Sequence, residues 1–248
     1  MRQRLDQALV ARGLVPSRSR ARDAIARGLV RVGETIASKA SLQVSPSDSL
    51  DIDGAAAGTA FVSRGALKLL AGLAAWDFNA HGRTCLDIGA STGGFTQVLL
   101  EGGADKIYAV DVGHTQLHGS LRFDPRVVSL ESQDARTLNR SLIPEPVGAI
   151  VADVSFISLE KALPSALALA APGAWLVALI KPQFEAPGPG YIGKGGIVRD
   201  AGVRQDAVTG VANWIGARGG WHVKGVIESP IAGGSGNMEF LLGAVCRG

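Results

Sequence analysis

Thr84-Cys-Leu-Asp-Ile-Gly-Ala-Ser-Thr-Gly-Gly-Phe-Thr96 reads as a buried strand that ends in Asp87, breaks into a glycine-rich turn and reopens as a helix. Such a turn lets the backbone approach a ligand closely at a helix N-terminus. On either side the chain alternates between helical and strand periodicity. A helix is expected over about 64–76, with Leu67, Leu70, Leu73 and Ala74 on one face and Arg64 and Lys68 sharing another. Strands are expected at 84–88, 106–111, 126–130, 147–153, 174–181, 221–228 and 238–246. Helices are expected at about 93–101, 159–170 and 200–218, with a Gly/Pro-rich loop at 182–196. This alternation predicts a doubly wound α/β fold, mostly parallel, with helices on both faces and an antiparallel last strand.

Ahead of that fold lies a segment of different character. Of the 25 Lys and Arg residues nine fall in residues 1–40, against three of the 22 acids, leaving 16 basic and 19 acidic residues beyond. A basic unit on a mildly acidic body suggests a polyanion partner, most simply nucleic acid. Residues 1–53 read as a small α+β unit: Leu5, Ala8, Leu9 and Leu14 follow a helical stripe, and Ser17 is placed to cap a second helix. Short strand-like pieces follow at 29–33, 41–44 and 49–52. Arg4, Arg18, Arg20 and Lys39 are the residues expected to form a phosphate-binding patch, giving affinity without reading sequence. Gly54-Ala-Ala-Ala-Gly-Thr59 is small and flexible, so 54–62 reads as a linker and 63–248 as the larger domain.

Several other classes find little support. Cys85 and Cys246 stand alone, in no metal or redox spacing, which fits a reduced cytoplasmic protein. The charged N-terminus lacks the apolar segment of a secretory signal. Residues 162–180 are uncharged and long enough to span a bilayer, but Pro164 and Ala171-Pro172-Gly173 interrupt them, so helix–turn–strand is expected and no membrane partner. His114 and His118 are four apart without a third ligand, and no metal is expected. Gly89-Ala-Ser-Thr-Gly93 satisfies a hydrolase elbow pattern, yet His222 is the only late histidine for such a triad. Gly188-Pro-Gly-Tyr-Ile-Gly-Lys194 matches most of a phosphate-binding loop, but Gly195 replaces the hydroxyl that would hold magnesium.

The spacing of Gly89, Ser91 and Gly94 is not that of a dinucleotide site. Asp87 and Gly89 instead resemble the first motif of S-adenosyl-methionine-dependent methyltransferases. That resemblance implies that Gly89, Ala90, Ser91, Gly93 and Gly94 pack on the methionine part of the cofactor. It also implies that Asp111, ending the next strand, binds the ribose hydroxyls and that Asp134 meets the adenine amino group.

Four polar residues then gather on one edge of the expected sheet. Asp153 and Lys181 end strands, Glu239 opens the antiparallel one, and Lys68 sits in the helix ahead of the sheet. Ligands of open α/β sheets bind outside those strand ends. Asp153-Val-Ser-Phe-Ile is not the Pro-Pro-aromatic pattern that cradles an amino nitrogen, and neither cysteine follows a proline in a loop. A ribose hydroxyl needs a base during transfer, and a lysine can serve where burial and a second ammonium disfavour its charge. Lys181 is read as that base, with Lys68 beside it and Asp153 and Glu239 orienting the two amines.

The Lys68, Asp153, Lys181, Glu239 series resembles the tetrad of FtsJ-type 2′-O-ribose methyltransferases. End to end, the chain resembles the TlyA family of hemolysin-like rRNA methyltransferases. The resemblance is carried by Arg2-Gln-Arg-Leu-Asp-Gln-Ala-Leu-Val, Ser17-Arg-Ser-Arg-Ala, Val62-Ser-Arg-Gly-Ala-Leu-Lys-Leu69, Ala152-Asp-Val-Ser-Phe-Ile-Ser-Leu159, Leu179-Ile-Lys-Pro-Gln-Phe-Glu185 and Gly234-Ser-Gly-Asn-Met-Glu-Phe240. It implies a Rossmann-like methyltransferase sheet behind an RNA-binding domain of ribosomal-protein type. It further implies S-adenosyl-methionine as donor and 2′-O-methylation of cytidine in ribosomal RNA, with ribosomal subunits as partners. Where some members carry Arg-x-Trp-Val in the linker, this chain reads Thr59-Ala-Phe-Val62. Two other classes stand beside this reading: a membrane-active hemolysin, and an RNA-binding ribosome-assembly factor without methyl transfer.

Overall fold

The computed structural model describes residues 2–12, 14–15, 18–26, 28–52, 61–233 and 236–247, without the side chains of residues 19, 20, 23 and 189. The chain divides into two units, Met1–Phe61 and Val62–Gly248. Ser17, expected as a helix cap, and linker residues 54–60 lie outside the described residues.

In the first unit β1 (Gln3–Arg4), α1 (Leu5–Ala11) and α2 (Arg18–Ala26) precede β2 (Val30–Val32), β3 (Thr35–Ile36), β4 (Gln43–Val44) and β5 (Leu50–Ile52). β2 pairs antiparallel with both β3 and β5, and β1 with β4. Leu5, Ala8 and Leu9 of α1 meet Ala21 and Ile25 of α2 over Val30 and Val44. Leu14 departs from expectation. It lies beyond the end of α1 and is exposed, and Val15 takes the core position.

The second unit opens with α3 (Gly65–Trp76), followed by β6 (Thr84–Ile88), α4 (Gly94–Glu101), β7 (Lys106–Asp111), α5 (Gly119–Arg122), β8 (Val127–Glu131) and β9 (Val147–Ala152). Then come α6 (Leu159–Ala162), α7 (Pro164–Leu167), β10 (Ala170–Ile180), α8 (Pro182–Glu185), α9 (Ala201–Gly216), β11 (Trp221–Glu228) and β12 (Phe240–Cys246). The sheet order is β11-β12-β10-β9-β6-β7-β8. The β10-β9-β6-β7-β8 pairs are all parallel, and β12 runs antiparallel to both its neighbours. The central strands are buried on both faces, which explains why they read as near-continuous apolar runs. The helix expected over 159–170 is two short helices, because Pro164 cannot donate within a continuous one. Residues 162–180 are thus helix, turn and strand, and no helix among the described residues is long and apolar enough to cross a membrane.

α3 presents the opposite face from the one its leucines suggest. It buries Ala66, Lys68, Leu69 and Gly72, while Leu70 is exposed. At its end Trp76 lies flat against Gly243 of β12, where a Cβ would run into the indole ring. That contact seats α3, and with it Lys68, on the sheet.

Gly243→Ala is therefore expected to destabilise the protein by about 1–3 kcal/mol, because a packed indole cannot yield as a flexible side chain does. Gly210→Ala, in α9 with open space around it, should instead be neutral or stabilising by up to about 1 kcal/mol. Urea titrations of the two variants check this, and equal midpoints would refute the contact.

Candidate functional site

Strand register sets the site. Ala152 pairs with Ala178 across β9 and β10, and Ile180 pairs with Phe240 across β10 and β12. The residues just beyond, Asp153, Lys181 and Glu239, therefore emerge along one edge. The glycine turn leaves β6 at the same edge. Gly89 and Ala90 both donate their N–H to Val110 O, at 2.9 and 3.0 Å, and Asp153 N–H donates to Ile88 O at 2.9 Å. Gly89 has φ +81°, and a Cβ there would collide with the Asp153 carbonyl. Only glycine allows the two loops to meet this closely.

Two lysine–acid pairs follow. Lys68 Nζ donates to Glu239 Oε2 at 2.5 Å, with the side chains only 10% and 3% exposed. Lys181 Nζ lies 2.6 Å from Asp153 Oδ1 and donates to Ser155 Oγ at 2.9 Å. Lys68, Asp153, Lys181 and Ser155 all line one cavity of about 300 Å³, with Ala90, Ser91 and Gly94 on its wall. Glu239 reaches that cavity through Lys68. The four residues expected to act together are brought together, each amine against one carboxylate.

A larger cavity of about 470 Å³ adjoins it, and Gly89, Ser91, Asp153 and Ser155 line both. Asp111 stands at its wall and accepts Ser91 N–H at Oδ2 and Gly113 N–H at Oδ1, both at 2.7 Å. A carboxylate has lone pairs left for further donors. Asp134 also lines it, but its two oxygens take the Arg136 guanidinium at 2.6–3.0 Å, which holds the carboxyl below its ordinary range. Gly93 lines neither cavity: it is buried under Leu117 and Leu121. Asp87 lines neither as well. It lies fully buried beneath the turn, Oδ2 accepting Thr96 Oγ1–H at 2.6 Å and Oδ1 without a hydrogen-bond partner. Burial, opposed by the Thr96 bond, pushes its carboxyl up to about 7.

The donors and shape fit a nucleoside-bearing cofactor. A glycine cradle borders both cavities, a carboxylate with spare lone pairs stands on the larger, and the volumes suit a small ligand. No three His, Cys, Asp or Glu side chains among the described residues gather as a metal ion would require.

Two participants escaped sequence reasoning. Ser155 lies inside the quoted run after Asp153, and its hydroxyl gave no signal of its own. Glu131, at the end of β8, accepts Gln116 N–H at 2.6 Å and Leu117 N–H at 3.1 Å and pairs with Arg122, fixing a loop that walls the larger cavity.

In the first unit, Arg4 and Arg18 converge on the buried Asp6, joined by Arg22. Lys39 is exposed on the segment whose Ala40 carbonyl accepts Asp6 N–H at 3.2 Å. Arg20 belongs to α2, but its side chain lies outside the described residues.

Comparison with known proteins follows the same division. Residues 61–245 match the FtsJ-like methyltransferase family and residues 3–50 the S4 domain. The chain is 46% identical over 241 residues to the 16S/23S rRNA (cytidine-2′-O)-methyltransferase TlyA of Mycobacterium tuberculosis H37Rv, covering 97% of this chain and 89% of that protein. It is 40% identical to Hemolysin A of Brachyspira hyodysenteriae over 96% and 98% of the two chains. A solved structure of a hemolysin-named protein from Streptococcus thermophilus superposes with TM-score 0.73 at 36% identity, over 99% of this chain and 89% of that one.

Asp87 gives a pH signature. Its folded carboxyl titrates near 7 against 3.8 unfolded, so the native state holds an extra proton between those values and its contribution to stability declines as pH rises through them. Asp87→Asn should remove that decline and raise unliganded stability at pH 8 by up to about 4 kcal/mol relative to wild type. Melting curves of both proteins from pH 4 to pH 8 test it, and parallel curves would disprove the assignment.

Proposed function

The chain belongs to the FtsJ-like methyltransferase family, with an S4 domain ahead of that fold, and we propose that it methylates a cytidine 2′-oxygen of ribosomal RNA. S-adenosyl-methionine is the proposed donor, ribosomal subunits the proposed partners and the cytoplasm the proposed setting. The activity named for the Mycobacterium tuberculosis relative supports the substrate. The observation that carries the reading is the pair of lysine–acid contacts at one cavity beside the glycine turn.

We assign residues 1–53 to RNA binding, 54–62 to the linker and 63–248 to methyl transfer. Asp111 and Asp134 would hold the adenosine end of the cofactor, and the turn Gly89, Ala90, Ser91 and Gly94 the methionine end. Gly93 and Asp87 support that turn from beneath. When bound, the cofactor supplies an electrophilic sulfonium methyl. In its unprotonated form Lys181 Nζ accepts the hydrogen of the ribose hydroxyl and takes that proton as the oxygen attacks, which is general-base catalysis. Asp153 and Ser155 fix the direction of that amine. Lys68, pinned by Glu239, holds the ribose or its adjoining phosphate. Orientation within the cavity supplies much of the remaining acceleration. Arg4, Arg18, Arg20 and Lys39 contact RNA phosphates in the first unit.

Lys181→Ala should reduce transfer of labelled methyl groups to ribosomal subunits by about 100-fold or more, in line with loss of a positioned base. Calorimetric titration should show the variant still binding S-adenosyl-methionine. Turnover close to wild type would remove Lys181 from the role.

A further inference from the structure

Asp6 is a fully buried carboxylate in a small basic unit, and it is shared by three arginines. Arg4 donates from Nε to Oδ1 at 3.0 Å and from Nη2 to Oδ2 at 3.2 Å. Arg18 Nη2 and Arg22 Nε each donate to Oδ2 at 3.2 Å. These bonds, Arg4 first, hold the Asp6 carboxyl well below the usual carboxylate range. One guanidinium fork would neutralise a buried carboxylate. Three leave an excess of two positive charges at one point. Their outer edges face solvent, the side chains being 37%, 49% and 57% exposed for Arg4, Arg18 and Arg22. Arg18 and Arg22 each spend a single N–H on Asp6, and a guanidinium carries five.

We propose that Asp6 is a positioning residue that holds Arg4, Arg18 and Arg22 as a preorganised triad for RNA backbone phosphates, with Arg22 a phosphate contact in its own right. The inference rests on the reading of the first unit as RNA-binding. Three free guanidinium groups would repel one another and sample many rotamers, both of which oppose binding. A carboxylate set between them offsets the repulsion and fixes the forks before RNA arrives. Their remaining donors suit phosphate oxygens, which accept such forks in pairs. The opposite account treats Asp6 as a structural anchor only, with its negative charge opposing a polyanion. The two accounts differ in sign: removing that charge should strengthen binding by general electrostatics and weaken it if Asp6 positions the triad.

The test uses the full chain and a fluorescein-labelled ribosomal RNA hairpin, titrated by anisotropy over a range of salt concentrations. Asp6→Asn should bind about 3- to 10-fold more weakly than wild type at a temperature well below its melt. Arg22→Gln should also bind more weakly, with a plot of log affinity against log salt shallower by roughly one phosphate contact, about 0.7–0.9. Asp6→Asn binding as tightly as wild type, or tighter, overturns the positioning role. If Asp6→Asn fails to fold, Arg22→Gln still decides, because this exposed side chain is not part of the core: an unchanged salt slope overturns the triad. A wild-type chain whose RNA binding shows no salt dependence would instead overturn the reading of the unit itself.

Discussion

The close approach of Gly89 to the Asp153 carbonyl is the constraint on which the site depends. It exists because β6 and β9 are parallel neighbours whose ends must both turn at one edge. Any side chain at Gly89 would push the glycine turn away from the strand that leads to Asp153. The rest follows by register. Lys181 is one strand further out, Glu239 one beyond that on a strand running the other way, and no loop has to search for its partner. A sheet edge places charged atoms more closely than loops can, because each position is fixed by a ladder of backbone hydrogen bonds.

Charge burial explains why such an arrangement is uncommon. Removing either partner of a buried pair such as Lys68–Glu239 destabilises by roughly 3–5 kcal/mol, whereas apolar residues of similar volume would hold the fold as well or better. The pair is therefore poor evidence for stability and better evidence for a site where an amine must be held in one place. Asp87 belongs to the same logic. Its unpartnered oxygen under the glycine turn is a liability for a folding unit, and burial there disfavours the ionised carboxyl.

Much of this was legible in the sequence, for a physical reason. Parallel strands buried on both faces read as short apolar runs, so their last residues, Asp153 and Lys181, stand out as charged ends. The antiparallel direction of β12 put Glu239 at the same edge. What could not be read was the face of α3. Leu67, Leu70 and Leu73 suggested one buried stripe, but a helix apolar nearly all round carries no directional signal, and Lys68 decided the face by finding Glu239. Small residues were the better guide, since Ala66 and Gly72 are where the helix meets its neighbours. Ser155 and Glu131 act through hydroxyl and carboxylate contacts to groups distant in sequence, which periodicity does not encode.

The two units share one principle at different scales. In the larger, each amine of the cavity is set against a single carboxylate, so the charges balance, and on the proposed function the amines handle a proton and a hydroxyl. In the smaller, one carboxylate sets three guanidiniums, so the balance is deliberately exceeded and the surplus faces outward. Arginine suits the second task because it stays charged and presents a rigid fork, and lysine suits the first because its amine can give up a proton. On the proposed function, the same sequence separates holding a polyanion from acting on one of its hydroxyls by the choice of cation and by the number of cations each acid must restrain.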